Sequence, residues 1–225
     1  MLLALDTATR TLSLALHDGK RVCAEMSWNT LNQHTVELLP AVRDLMTRAS
    51  VSTADLTVLA VSQGPGSFNG LRIGFSMAKG LALARNLPLV SVPTLDIVAA
   101  AQPYFDGTLV AVLQVGRGRI CRGSYRWSAG GWHGQDDLEI MSWQTLLDNI
   151  HNETIISGEI DAQGYSELEQ AMKIGTPIHL ASPALALRRA GFLAQIAWER
   201  WTAGVPADAG SAAPLYLHQP GVAHP

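Results

Sequence analysis

At 225 residues the chain is long enough for one large or two small domains, and for a core that needs no disulfide or metal staple. Charged residues are 16% of the composition and hydrophobic ones 48%, a balance that leaves little charge to cover the surface and favours a protein with a frequent partner. The net charge of −3 excludes a generally basic nucleic-acid binder, so any such contact must be local or supplied by a partner. Cys23 and Cys121 are too few and too isolated for a disulfide framework or a zinc site, and reduced thiols in a cytosol are the default. No basic region precedes the N-terminal apolar residues, so a signal peptide is not expected. The richest apolar stretch, 80–101, is broken by Arg85, Pro88, Pro93 and Asp96 and cannot span a membrane.

In chain order, Leu2–Asp6 reads as a short buried strand. Thr11–His17 alternates apolar and polar residues through Leu12, Leu14 and Leu16, the pattern of a half-buried strand. Asp18-Gly19 supplies a tight turn, and Val22–Trp28 returns as the second arm of a hairpin. Val36, Leu39, Val42 and Met46 recur at helical spacing over 33–49, with Pro40 demanding either a start near Leu39 or a kink. A strand at 56–62, a helix to Arg85, a strand at 88–92 and a short helix at 94–101 capped by Thr94 follow. The breaker-rich turn at 104–107 is the expected boundary, giving domains 1–103 and 104–225. The second half predicts strands at 109–115, 119–127, near Ile140 and at 154–157, with a helix around 143–150. A last helix over 184–202 follows, opened by Ser182-Pro183 and expected to pack back on the first domain.

Ser62 to Gly74 is the most informative stretch. A Gly-rich turn between strand and helix suggests phosphate binding, yet both fingerprints fail: Asn69 stands where a Walker loop and a dinucleotide turn each need glycine. What the spacing does make is a ridge of small residues, Gly66, Gly70, Gly74, Ala78 and Ala82, on one helix face. Each interior glycine costs a helix about 1 kcal/mol against alanine, so another backbone is expected to come close. That backbone belongs either to the protein's own sheet or to a docked partner.

GPGSFNGLRIG (64–74) with MAKGLA (77–82) resembles the signature of the TsaB (YeaZ-like) family, whose usual form has threonine at Asn69. ALDTAT (4–9), HTVELLP (34–40) and PLYL (214–217) add to the likeness. The resemblance implies an α/β fold of two RNase-H-like subdomains of the actin and sugar-kinase type, each a mixed sheet flanked by helices. It implies a non-catalytic, cytoplasmic scaffold that binds a TsaD-type catalytic subunit in forming threonylcarbamoyl-adenosine beside the tRNA anticodon. It also implies a TsaE-like ATPase partner, contact with tRNA through the complex, and ATP and metal on the partner subunit rather than here. An apolar helix pair that waits for a partner is expected to find its own copy when the chain is alone, giving a two-fold homodimer through 38–48 and 68–82. The partner interface expected on this basis comprises His34, Leu38, Leu45, Gly66, Phe68, Gly70, Leu71, Gly74, Phe75 and Ala78.

In a kinase-like fold the end of the first strand is where a carboxylate holds magnesium. Asp6, Thr7 and Thr9 therefore form a candidate nucleotide site, vestigial because Ala8 replaces the turn glycine. The alternative is a local role, since aspartate at a strand end also bonds its own backbone. Relatives commonly carry aspartate and glutamate in the second half, where Gln114 and Arg119 stand here; Arg117, Arg119, Arg122 and Arg126 gather instead. His34 has Leu38 four residues on, so the histidine pair of a metal site is missing. An active small-molecule kinase is the alternative function, and a metallopeptidase a distant third. Under the scaffold reading, Asp6→Ala should hardly matter and a bulky residue at Gly70 or Gly74 should block the partner.

Overall fold

The computed structural model describes residues 1–30, 33–116 and 118–217. Contacts divide the chain into two compact units, Met1–Ile97 with Arg188–Pro214, and Val98–Leu187 with the residues from Leu215.

The first unit is built on a five-stranded sheet. Its strands are β1 (Leu2–Asp6), β2 (Thr11–His17), β3 (Val22–Asn29), β4 (Val58–Gly64) and β5 (Leu89–Pro93), in the order β3-β2-β1-β4-β5. β1 pairs antiparallel with β2 and parallel with β4, which makes the sheet mixed. Because side chains alternate across a strand, Leu3 and Leu5 face one side and Leu2 and Ala4 the other. The first side packs under α1 (His34–Arg48) and α2 (Phe68–Arg85). The second packs under a helix from the far end of the chain, Ala190–Thr202.

α1 starts at His34 and runs through Pro40, which sits in its second turn. α2 is capped at Ser67, whose Oγ accepts from the Gly70 amide, and it ends at Asn86 in the left-handed conformation. Thr94 does not cap the short α3 (Thr94–Ala100) as expected. It is that helix's first residue, and its hydroxyl accepts from the Gly64 amide, thirty residues away. β2 is likewise more buried than its alternation predicts, with Ser13 and Ala15 also covered.

The second unit holds β6 (Thr108–Gly116), β7 (Arg119–Ser128), β8 (Gly131–Gly134), β9 (Glu139–Ser142), α4 (Trp143–Asp148), β10 (Thr154–Gly158), α5 (Ala162–Lys173), β11 (Ile178–Leu180) and α6 (Pro183–Ala186). Sheet order is β11-β10-β6-β7-β8, with β9 pairing β7. β6 pairs antiparallel with β7 and parallel with β10, the same connection pattern as β1 with β2 and β4. Its core joins Val110, Val112 and Ile156 of the sheet to Trp143 and Leu146 of α4 and Leu168 of α5. Two mixed sheets flanked by helices are what the sequence predicts. β8, α5 and β11 were not legible in it.

The single helix predicted over 184–202 is two, α6 and then α7 (Ala190–Thr202), with Leu187 and Arg189 extended in the non-helical link between them. The start of α7 is satisfied by distant groups: the Ala190 amide donates to Ser13 Oγ at 2.8 Å and the Gly191 amide to Glu25 Oε1 at 2.6 Å. No local capping residue was needed, so none marks the break.

Candidate functional site at the end of the first strand

The β1–β2 turn, residues 7–10, is where the kinase-like reading puts its chemistry. Asp6 is fully buried, and a lone buried carboxylate is expensive unless it is paired and hydrogen-bonded. Its Oδ1 accepts from the Ala8 amide at 3.0 Å, the local turn bond expected of a strand-end aspartate. Its Oδ2 accepts from Nε of Arg188 at 2.5 Å. The Arg188 side chain is 2% exposed, and its Nη2 also donates to Thr9 Oγ1 at 2.9 Å and to the Thr11 carbonyl at 3.3 Å. The guanidinium is thus held by a carboxylate, a hydroxyl and a carbonyl at once, and the pair is compact and charge-balanced.

The other polar groups of the turn are committed as well. Thr7 Oγ1 donates to the Gly70 carbonyl at 2.8 Å, and the Ser67 amide donates to the Ala8 carbonyl at 2.6 Å. That amide lies at the start of α2, where a phosphate would otherwise be received. His34 is buried, and its Nε2 donates to the Thr9 carbonyl at 2.8 Å. Glu37 accepts from the Trp28 indole at 2.7 Å. Both residues therefore serve the fold, and among the described residues no group of three or more His, Cys, Asp or Glu is placed to hold a metal ion.

The glycine ridge presses on this same turn. A Cβ at Gly66 would lie 2.2 Å from the Ala8 carbonyl oxygen, one at Gly70 2.2 Å from that of Thr7, and one at Gly74 2.2 Å from Thr7 Oγ1. The close backbone that the ridge requires is the chain's own β1–β2 turn. Of the residues expected at a partner interface, His34, Leu38, Leu45, Gly70, Leu71, Gly74, Phe75 and Ala78 are buried in this unit, Gly66 is half-buried, and Phe68 alone is exposed. The same two helices present other apolar side chains to solvent: Val36 is 71% exposed, Leu39 58% and Phe68 50%. Arg72 stacks on the Phe68 ring at 3.8 Å.

In the second unit Gln114 donates from Nε2 to the Glu159 carbonyl at 3.5 Å. Arg122 is tied to Ser124, Asp136 and Glu139, so it is no free anion receptor. Arg126 is exposed on β7. Arg117, His218 and His224 lie outside the described residues. Arg188 was missed altogether. Its signal was present: two adjacent arginines, Arg188 and Arg189, interrupt the apolar run from Leu185 to Ala194.

A family model described as "TsaD: tRNA N6-adenosine threonylcarbamoyltransferase" matches residues 28–138. The "tRNA threonylcarbamoyladenosine biosynthesis protein TsaB" of Escherichia coli (strain K12) is 33% identical over 161 residues, covering 70% of this chain and 68% of that protein. The protein of the same name from Bacillus subtilis (strain 168) is 35% identical over 129 residues, covering 57% of this chain and 56% of its own length. Among solved structures, "YeaZ from Pseudomonas aeruginosa" superposes with a TM-score of 0.74 at 27% identity, over 95% of this chain and 99% of that one.

Proposed function

We propose a partner-binding role for this chain from one premise: it belongs to the TsaB family of tRNA threonylcarbamoyladenosine biosynthesis proteins. In this reading it is a non-catalytic scaffold that binds a TsaD-type catalytic subunit, with a TsaE-like ATPase and tRNA joining through the complex. ATP and metal belong to the partner, and the isolated chain pairs with its own copy. The observation that carries the non-catalytic part is the Asp6–Arg188 pair. The carboxylate that would do kinase-like work is neutralised by a buried cation of the same chain.

The binding part is supported by the outer surface of α1 and α2 rather than by the ridge. Val36, Leu39 and Phe68 are large apolar side chains exposed on helices whose other faces fill the core. Three such side chains on two helices of one sheet face are a natural docking surface. No described helix is long and apolar enough to cross a membrane, so a membrane span does not account for them.

The experiment pairs two surface variants, Val36→Glu and Phe68→Glu, with the cognate TsaD-type subunit in a reconstituted modification reaction. Affinity should fall about tenfold or more, since losing one well-buried apolar contact removes roughly 1.5–3 kcal/mol. Melting should change little, because Val36 is exposed and Phe68 gives up only a surface contact with Arg72. Parent-like binding by both variants, or ATP hydrolysis by the isolated chain, would count against the scaffold reading.

A further inference from the structure

We infer that Arg188 is the resident cation of the β1 site: its guanidinium stands where a divalent cation would sit on Asp6, and the folded chain is thereby closed to metal–nucleotide at this position. Three features of the turn lead there. The first is electrostatic. One buried carboxylate faces one buried guanidinium, with Thr9 Oγ1 and the Thr11 carbonyl as its further acceptors. A divalent cation brought to the same carboxylate would meet a positive charge already in contact with it, in a buried place where solvent screens the two poorly.

The second is coordination. Magnesium asks for near-octahedral oxygen ligands and keeps several of its waters, so it needs an open carboxylate edge. Asp6 is 0% exposed, and its two oxygens are taken by the Ala8 amide and Arg188. The third is space. Gly66 stands against the Ala8 carbonyl so closely that a Cβ would be 2.2 Å from it, and the Ser67 amide is engaged by that carbonyl. The turn backbone therefore lies directly against the start of α2, and the Ser67 amide is not available to a phosphate. The arrangement is built from both ends of the first unit: Arg188 is 182 residues from Asp6 and is the first residue of the segment that returns to that unit. The inference is independent of partner binding, since the pair would close the site whether or not a TsaD-type subunit docks on α1 and α2.

Thermal melting of the full chain tests it, with guanidinium ion and Mn²⁺ as the probes at millimolar concentration. Arg188→Ala leaves a cavity of guanidinium shape beside a buried carboxylate. Guanidinium should raise its melting temperature by roughly 3 °C or more, as a ligand well above its Kd does, and Mn²⁺ should raise it too. The parent, whose cation is already in place, and the Asp6→Ala, Arg188→Ala double variant, which has no carboxylate, should not respond. Equal responses from Arg188→Ala and the double variant would overturn the assignment. If Arg188→Ala does not fold, the parent alone still decides. Mn²⁺ binding by the parent, read by electron paramagnetic resonance and lost in Asp6→Asn, would show the site open and the inference wrong; a silent parent upholds it.

Discussion

The two units share one strand plan and use it differently. In each, the first strand pairs antiparallel with the second and parallel with a later one, so β1 and β6 hold equivalent central places. At the end of β1 stands a buried carboxylate locked to Arg188. Toward the end of β6 stands Gln114, a neutral side chain with one long bond to the Glu159 carbonyl. The same strand end thus carries a buried ion pair in one unit and an uncharged group in the other. The two ends therefore differ in vulnerability: a position with a buried charge is destabilised by removing either partner, whereas a neutral one tolerates change.

The largest expected effect comes from the charged end. Asp6→Ala should destabilise the chain by about 3–5 kcal/mol, because Arg188 is left buried without its counter-charge. Gln114→Ala, its counterpart, should lose less than about 1 kcal/mol. Urea titration of both variants reads the difference, and equal losses would erase the contrast. The same ion pair revises the expectation that Asp6→Ala is harmless: any loss of modification activity in that variant would come through the fold.

Next are the glycines that carry each strand end. Gly70→Ala would put a methyl 2.2 Å from the Thr7 carbonyl oxygen, and Gly158→Ala one 2.1 Å from that of Val112, at a φ of +121°. Each should lower stability by about 1–3 kcal/mol through overpacking against backbone that cannot yield, with Gly158→Ala the worse because strain adds to the clash. Melting curves rank them. Gly80→Ala sharpens the point from the opposite side, since this α2 glycine has nothing within 4 Å of its added methyl. It should raise stability by about 0.5–1 kcal/mol, and a loss there would mean that helix propensity is not what the ridge glycines give up.

The smallest effect separates the hairpins. The β2–β3 turn is held by Asp18, whose carboxyl is kept well below the ordinary range by the Lys20 and Arg21 amides that donate to it. The β7–β8 turn has no carboxylate: Ala129 and Gly130 take φ of 48° and 84°, and the His133 ring bonds the Ser128 carbonyl across it. A carboxyl depressed in the folded chain stabilises above its unfolded pKa, near 4, and that contribution is lost as pH falls. Asp18→Asn should therefore melt slightly below the parent at neutral pH, and the gap should close on acidification. A gap that widens in acid would refute the assignment.

Much of this protein is written in local pattern. Most strands of both sheets, α1 and α2, and the hairpin at Asp18-Gly19 follow from alternation, helical spacing and turn residues, because each depends on neighbours within a few positions. The glycine ridge was also legible as a demand for close approach. Which backbone would approach was not, since Thr7 lies 63 residues from Gly70 and no spacing rule links them. The unseen break before α7 shares that cause: the helix start is satisfied by Ser13 and Glu25 from the other end of the chain. Asp6 itself was readable as a strand-end carboxylate with either a metal-binding or a local role. Only the tertiary structure decided its cation partner, because burial and charge balance are properties of side chains brought together across the whole chain, and Arg188 arrives from 182 residues away.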